Sequence, residues 1–419
     1  MSKLSYNNIY FSSWLVCIVT LPWIIQWNSA AIILLGIVSL TEGNYSQKWQ
    51  RLKSATWIIP FMIFFALHVL GVLYSTDKDL ASFEVEKKLS FLVLPIIAAS
   101  GPAPDAVMWR NLCRGFVLSC LALVVLSFYF SWIGMRSGGP HNFDVRTLDH
   151  YRQLNPGSSS LWEYFSYIQL VDWIDIHPAY FSMYLIFGCA LLLEDMRVDS
   201  QIKVVNTVLT MIFIFFIALL SSRIAIVSLV VILIYLLRDS VKTKATKVFV
   251  GAACISGLFI LILINPVSRY RIFQEPLLTP VEIASTTNDW NSVNLRLLEW
   301  RASVAGISTA WLFGLGPGDG QAYLNGYYSN FNDATAGLTY NSHNQYLQTT
   351  LELGVVGLLV LGICLFKPLL FPINPNPLFI AFIILFGLMC LTESMLARQK
   401  GIVFFTMFES LFLRIHFQK

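Results

Sequence analysis

The sequence predicts an all-α polytopic membrane protein, and three observations carry that prediction. Hydrophobic residues make up 56% of the 419 and charged residues only 12%, against about 25% charged in a soluble domain. Apolar runs of near-spanning length recur from end to end. Basic residues gather in alternate short connections. A chain this apolar cannot cover itself with polar surface in water, so its solvent is largely lipid.

A spanning helix needs about 20 mostly apolar residues. Twelve candidate runs follow: 9–25, 28–42, 55–75, 85–101, 110–134, 177–194, 202–220, 222–238, 247–265, 344–366, 376–395 and 400–415. The first two are short, joined only around Gln26, Trp27 and Asn28, and read as a tight hairpin. No small-residue cleavage site separates them, so the first reads as an uncleaved span rather than a signal peptide. The run at 85–101 begins among Glu84, Glu86, Lys87 and Lys88. With the N-terminus in the cytoplasm, Lys48, Arg51 and Lys53, Arg110 and Arg114, Arg197 and Lys203, and Arg238, Lys242, Lys244 and Lys247 all fall in inner connections. This is the positive-inside bias, with both termini cytoplasmic.

The whole chain, 1–419, reads as one integral membrane domain whose large polar segments are two loops on the non-cytoplasmic side, 135–176 and 266–343. Loops this long are functional or disordered. Trp162, Trp173, Trp290, Trp300 and Trp311 give these enough aromatic surface to order. The seven cysteines all lie in apolar runs with no CxxC spacing, which argues against disulfides and a thiolate metal site. The net charge of +4 is scattered with no basic face, so no nucleic-acid partner is expected.

Residues 293–311 read as an amphipathic helix. Val293, Leu297, Trp300, Val304, Ile307 and Trp311 share one stripe, flanked by Arg296 and Arg301. The arginines either snorkel to water, with Arg296–Glu299 an ordinary i,i+3 pair, or bind an anion. FGLGPGDG, 313–320, permits a sharp turn and reads most simply as a helix stop; it lacks the Lys-Ser/Thr ending of a nucleotide loop. In NSHNQYLQTTLELGVVG, 341–357, Ser342 is the expected cap of the next span, which sets His343 at a helix start. The helix dipole there is expected to lower its affinity for a proton, leaving either a general base or a hydrogen-bonded capping histidine. Arg223 lies between two spans with almost no loop, where a guanidinium snorkels or meets phosphate oxygens. His177 and Tyr180 open the sixth span behind Pro178. Glu352, Glu393 and Glu409 are acids within late spans and so functional candidates. No histidine–carboxylate grouping has metal-ligand spacing, so no protein-held metal is expected.

The ordered set Arg223, Arg296 with Trp300, Gly314-Leu315-Gly316-Pro317-Gly318, His343-Asn344-Gln345-Tyr346-Leu347-Gln348 and Glu352-Leu353-Gly354 resembles the O-antigen ligase and polymerase superfamily. The motifs cover about 210–360, and twelve spans with a long loop before the tenth extend the likeness to the layout. The resemblance implies a GT-C-type bundle with a large periplasmic loop containing amphipathic helices, in the bacterial inner membrane with its active site facing the periplasm. It implies transfer of a glycan from undecaprenyl diphosphate to a hydroxyl of the lipid A–core of lipopolysaccharide. By motif, Arg223 and Arg296 correspond to diphosphate-binding arginines and His343 to the catalytic residue that activates the acceptor. Arg301, Asn344, His177, Tyr180, Trp300 and Glu393 are supporting candidates. No cofactor is implied, because the donor is already activated by its lipid diphosphate. The alternatives are a polysaccharide polymerase, a protein O-oligosaccharyltransferase and a non-enzymatic transporter. Transporters commonly carry matching halves around a midplane site; no matching halves are visible and the arginines and histidines lie at the outer boundary, while the mid-span glutamates keep this alternative open.

Overall fold

The computed structural model describes residues 3–137, 160–199, 201–238, 256–257, 259–274, 292–331, 337–370 and 376–417. Every regular element among the described residues is helical, as a chain in lipid requires when it must satisfy its backbone internally. Five helices are long and apolar enough to cross a membrane: Thr56–Tyr74, Ala106–Ser137, Pro178–Val198, Lys203–Leu220 and Gln345–Phe366. A sixth results if Ile25–Leu40 and Tyr45–Ser54, bent by 115°, form one span. Other expected spans are shorter helices, such as Arg223–Leu237 and Pro377–Met389. The run at 85–101 is divided: Lys78–Lys88 carries the charges, and Ser90–Ser100 follows with Pro95 inside it. Most of the run at 247–265, and parts of both long loops, lie outside the described residues.

The chain divides into two units. The first comprises Met1–Leu112, Arg296–Phe379 and Cys390–Lys419. In it Gln399–His416 packs on Ser90–Ser100, and Gln345–Leu370 on Ile59–Tyr74, around the rings of Phe61, Phe64, Phe91 and Phe405. The second comprises Cys113–Leu295 and Ile380–Met389. Its centre is Pro178–Val198, buried from Pro178 to Leu192, against Lys203–Leu220 and Arg223–Leu237.

One feature of the first unit positions the candidate site. The helix Gln345–Leu370 is interrupted at Gly354 (φ 66°, ψ −168°), and the glycine-rich stretch is stitched into the break. Val355 N–H donates to the Trp311 carbonyl (2.9 Å) and Val356 N–H to that of Leu312 (3.4 Å). In return Leu315 N–H donates to Leu351 (2.8 Å) and Gly316 N–H to Glu352 (3.0 Å). A Cβ on Gly354 would stand 2.1 Å from the Leu312 oxygen, and one on Gly314 (φ 73°) 2.4 Å from the Glu352 carbonyl carbon. The stretch is therefore more than a helix stop: it satisfies backbone groups that the break would otherwise leave unpaired inside a span. Asp319 fastens its far end, accepting from the N–H groups of Thr76 (2.6 Å) and Asp77 (3.0 Å). Burial alone would raise this carboxyl's pKa, but those two donors outweigh it and the pKa is lowered.

Candidate functional site

Three segments of the first unit meet around His343: the helix Ser292–Thr309 from Arg296 onward, the turn 341–344 with the start of the helix behind it, and the turn 390–398. The expected helix at 293–311 forms within two residues of its predicted ends, but its buried face is not the apolar stripe. Leu297, Val304 and Trp311 are exposed, while Asn294, Leu298, Glu299, Ala302 and Ser303 are buried. Glu299 and Ser303 need polar partners within the protein, and the face that carries them is the one turned inward. Ser303 Oγ donates to Ser342 Oγ (2.8 Å), and Glu299 Oε2 stands 3.0 Å from His343 Nδ1.

His343 is held in a left-handed backbone conformation (φ 37°), uncommon for a residue with a side chain and costly unless the surroundings enforce it. Its N–H donates to Asn341 Oδ1 (2.9 Å), and its ring meets Tyr340 edge-on. The helix is capped by Asn344 rather than by Ser342: Asn344 Oδ1 accepts from Leu347 N–H (3.0 Å). The amides of the motif bind the other segments. Asn344 Nδ2 donates to the Leu391 carbonyl (2.9 Å) and Gln345 N–H to that of Cys390 (2.8 Å), while Gln345 Oε1 accepts from Leu396 N–H (2.6 Å). Gln348 accepts from Ser342 N–H (3.0 Å) and donates to Glu352 (2.6 Å). Glu352 thus ends a structural chain of hydrogen bonds.

The electrostatics reverse one expectation. Burial lowers the proton affinity of His343, but the contact with Glu299, the charge of Glu299 and that of Glu393 outweigh burial and the opposing Arg296, so its pKa is raised from the ordinary 6.5. The carboxylate, rather than the helix dipole, decides the sign. Arg296 also departs from its expected i,i+3 partner. Its Nη2 pairs with Glu393 Oε1 (2.8 Å) and its Nε donates to the Thr392 carbonyl (3.2 Å). Glu393 lies in the turn between two helices rather than within a span, and its side chain is 7% exposed. Trp300 is half-buried with its indole Nε1 donating to nothing among the described residues, and Arg301 is exposed.

The remaining candidates belong to the second unit. Arg223 opens its helix behind Ser221, itself left-handed (φ 54°). Arg223 Nε donates to the Arg271 carbonyl (2.9 Å), Nη2 binds the same oxygen, and Nη1 donates to Ser292 Oγ (2.9 Å). His177 caps Pro178–Val198 by accepting from Ala179 N–H (3.3 Å), with Tyr180 buried beside it. Two residues escaped sequence reasoning: Glu299, taken for a helix-surface partner of Arg296, and Arg271, which lies in no recognisable motif. A glutamate on the polar edge of an otherwise apolar helix was the only signal for the first.

Residues 208–362 match the family model of O-antigen ligase. This stretch holds Arg223, Arg296, the glycine-rich turn and His343, so the family expected from the order of motifs is the one found. Over this segment the chain is similar to the O-antigen ligase family. No curated protein matches the chain.

Proposed function

We propose that the protein is a GT-C-type glycosyltransferase with twelve spans, moving a glycan from undecaprenyl diphosphate to the lipid A–core of lipopolysaccharide at the periplasmic face of the inner membrane. The observation that carries this reading is the His343–Glu299 contact beside the Arg296–Glu393 pair, inside a segment matching the O-antigen ligase family. Glu299 faces Nδ1, which leaves Nε2 as the basic nitrogen. It takes the proton of an acceptor hydroxyl as that oxygen attacks the anomeric carbon from the face opposite the leaving group. The bond from the anomeric carbon to the phosphate oxygen breaks, the configuration inverts, and undecaprenyl diphosphate departs with the electron pair. Arg223 and Arg296 keep the roles the family pattern implies, stabilising charge on the departing diphosphate without a metal. For Arg296 this means exchanging Glu393 for phosphate oxygens.

Reconstituted protein supplied with carrier-linked glycan and lipid A–core tests the reading. Transfer is expected from wild type, and from Glu352→Gln, but from neither His343→Ala nor Arg296→Ala at equal expression. Activity surviving both alanine substitutions sinks the assignment. In a deletion strain a ligase leaves lipid A–core without long-chain glycan, whereas a polymerase leaves a single-repeat band.

A further inference from the structure

The second unit contains a buried cation that the reading above does not use. Arg271 is 8% exposed, and its Nε and Nη1 are buried and donate to nothing among the described residues. Its guanidinium carbon lies 3.4 Å over the ring of Tyr167. A stacked guanidinium keeps its N–H groups pointing outward in its own plane, so the ring supports the charge without consuming donors. A buried charge with unfilled donors is unfavourable unless something complements it.

The scaffold around it is built. Asn265 Nδ2 donates to Ser166 Oγ (2.7 Å), and Asn265 Oδ1 accepts from the N–H groups of Val267 and Ser268. Ser268 Oγ lies 2.7 Å from Ser221 Oγ and donates to the Ala218 carbonyl. These buried bonds tie three segments together, and each delivers one member of a cluster: Ser166 precedes Tyr167, Ser221 leads to Arg223, and Ser268 leads to Arg271. Arg223 is bound to the backbone of Arg271 itself through the Arg271 carbonyl. Tyr167, like Ser221, has a left-handed backbone (φ 54°), a conformation retained at some cost to bring its ring under the guanidinium.

We propose that Arg271 is an anion-binding arginine beside Arg223, the pair forming a site for the phosphoryl oxygens of a diphosphate. Resting on the function proposed above, that ligand is the diphosphate of the lipid carrier, and Arg271 fills its empty donors on the non-bridging oxygens. Planar guanidinium donors suit a diphosphate better than a single phosphate, because the longer anion offers each arginine its own pair of oxygens.

The test measures binding of farnesyl diphosphate, farnesyl monophosphate and inorganic pyrophosphate to full-length protein in nanodiscs, for wild type, Arg271→Met and Arg271→Lys. Arg271→Met is expected to lose at least about tenfold in affinity for farnesyl diphosphate, about 1.4 kcal/mol, and much less for the monophosphate, with Arg271→Lys recovering part. A purely structural role would lower the melting temperature and leave the diphosphate-to-monophosphate ratio at its wild-type value, which overturns the proposal. Wild-type binding of farnesyl diphosphate that Arg271→Met matches also overturns it, while leaving the donor reading intact. Arg271-dependent binding of pyrophosphate without binding of the lipid diphosphate keeps the anion site and removes the donor reading. Wild type binding none of the three removes both.

Discussion

Replacing Gly354 by alanine probes the stitched helix break, and its cost can be worked from the geometry. At φ 66° and ψ −168° a side chain costs about 1–3 kcal/mol in backbone strain alone. The new Cβ would lie 2.1 Å from the Leu312 oxygen, so that carbonyl must move. Its bond from Val356 goes with it, and the adjacent bond from Val355 to Trp311 is placed at risk. Each backbone donor left unmet in an apolar surrounding costs about 1–3 kcal/mol. With both bonds lost the total is on the order of 3–9 kcal/mol, much of the roughly 5–15 kcal/mol that holds a typical fold. Gly362, in the same helix, is the internal control: a Cβ there meets nothing within 4 Å, and alanine should stabilise by about 0.5–1 kcal/mol. Thermal melting in detergent, followed by fluorescence-detected size exclusion, should show Gly354→Ala far below wild type and Gly362→Ala at or above it. If the two melt together, the helix is not broken at Gly354 and the glycine-rich turn does not support it.

Because the His343 pKa is raised above the ordinary 6.5 and the proposed base must act deprotonated, transfer should fall as pH drops through that raised value; Glu299→Gln should shift this acid limb to lower pH, and an unmoved limb rejects the pairing. The same ion pair contributes stability that is complete below the unfolded histidine's pKa and lost as pH rises through the folded one, so the melting-temperature advantage of wild type over Glu299→Gln should shrink toward alkaline pH. Arg296→Met strands the nearly buried Glu393 carboxylate and should cost about 2–3 kcal/mol, at the low end for such pairs because Arg296 is 27% exposed. Adding Glu393→Leu should restore the melting temperature but not transfer, and restored transfer would remove Arg296 from the reaction. His177→Ala should cost about 1 kcal/mol through loss of a cap with catalysis kept; loss of activity in a normally melting variant would move His177 from cap to site.

The sequence made the helical class, the helix at 292–309 and the order of motif residues legible, because each depends on local composition and spacing. What it hid depends on distant partners. Periodicity located a stripe through Leu297 and Val304 but carried no sign, and the buried contacts of Glu299 and Ser303 on the other face leave that stripe outward. Arg296 and Glu299 looked paired because they are one helical turn apart, yet each is claimed by a residue far along the chain: Glu393 and His343. The break at Gly354 was invisible because ELGVVG is compatible with unbroken helix; only the second glycine-rich stretch inserting there explains it. Arg271 had no neighbouring motif, and its significance comes from donors left unfilled after folding.

The grip of the turn 390–398 on the start of the helix at 345 bears on how this protein can be recombined. The stretch shared with the family ends at 362, but Asn344 and Gln345 are moored to Cys390, Leu391 and Leu396, and the counter-charge of Arg296 is Glu393. A chimera that exchanges only the shared stretch would therefore carry over the histidine and leave behind its moorings. The transplantable unit is discontinuous, made of the shared stretch together with 390–398, and swaps of acceptor specificity between relatives should tolerate a crossover after 398 better than one between 362 and 390.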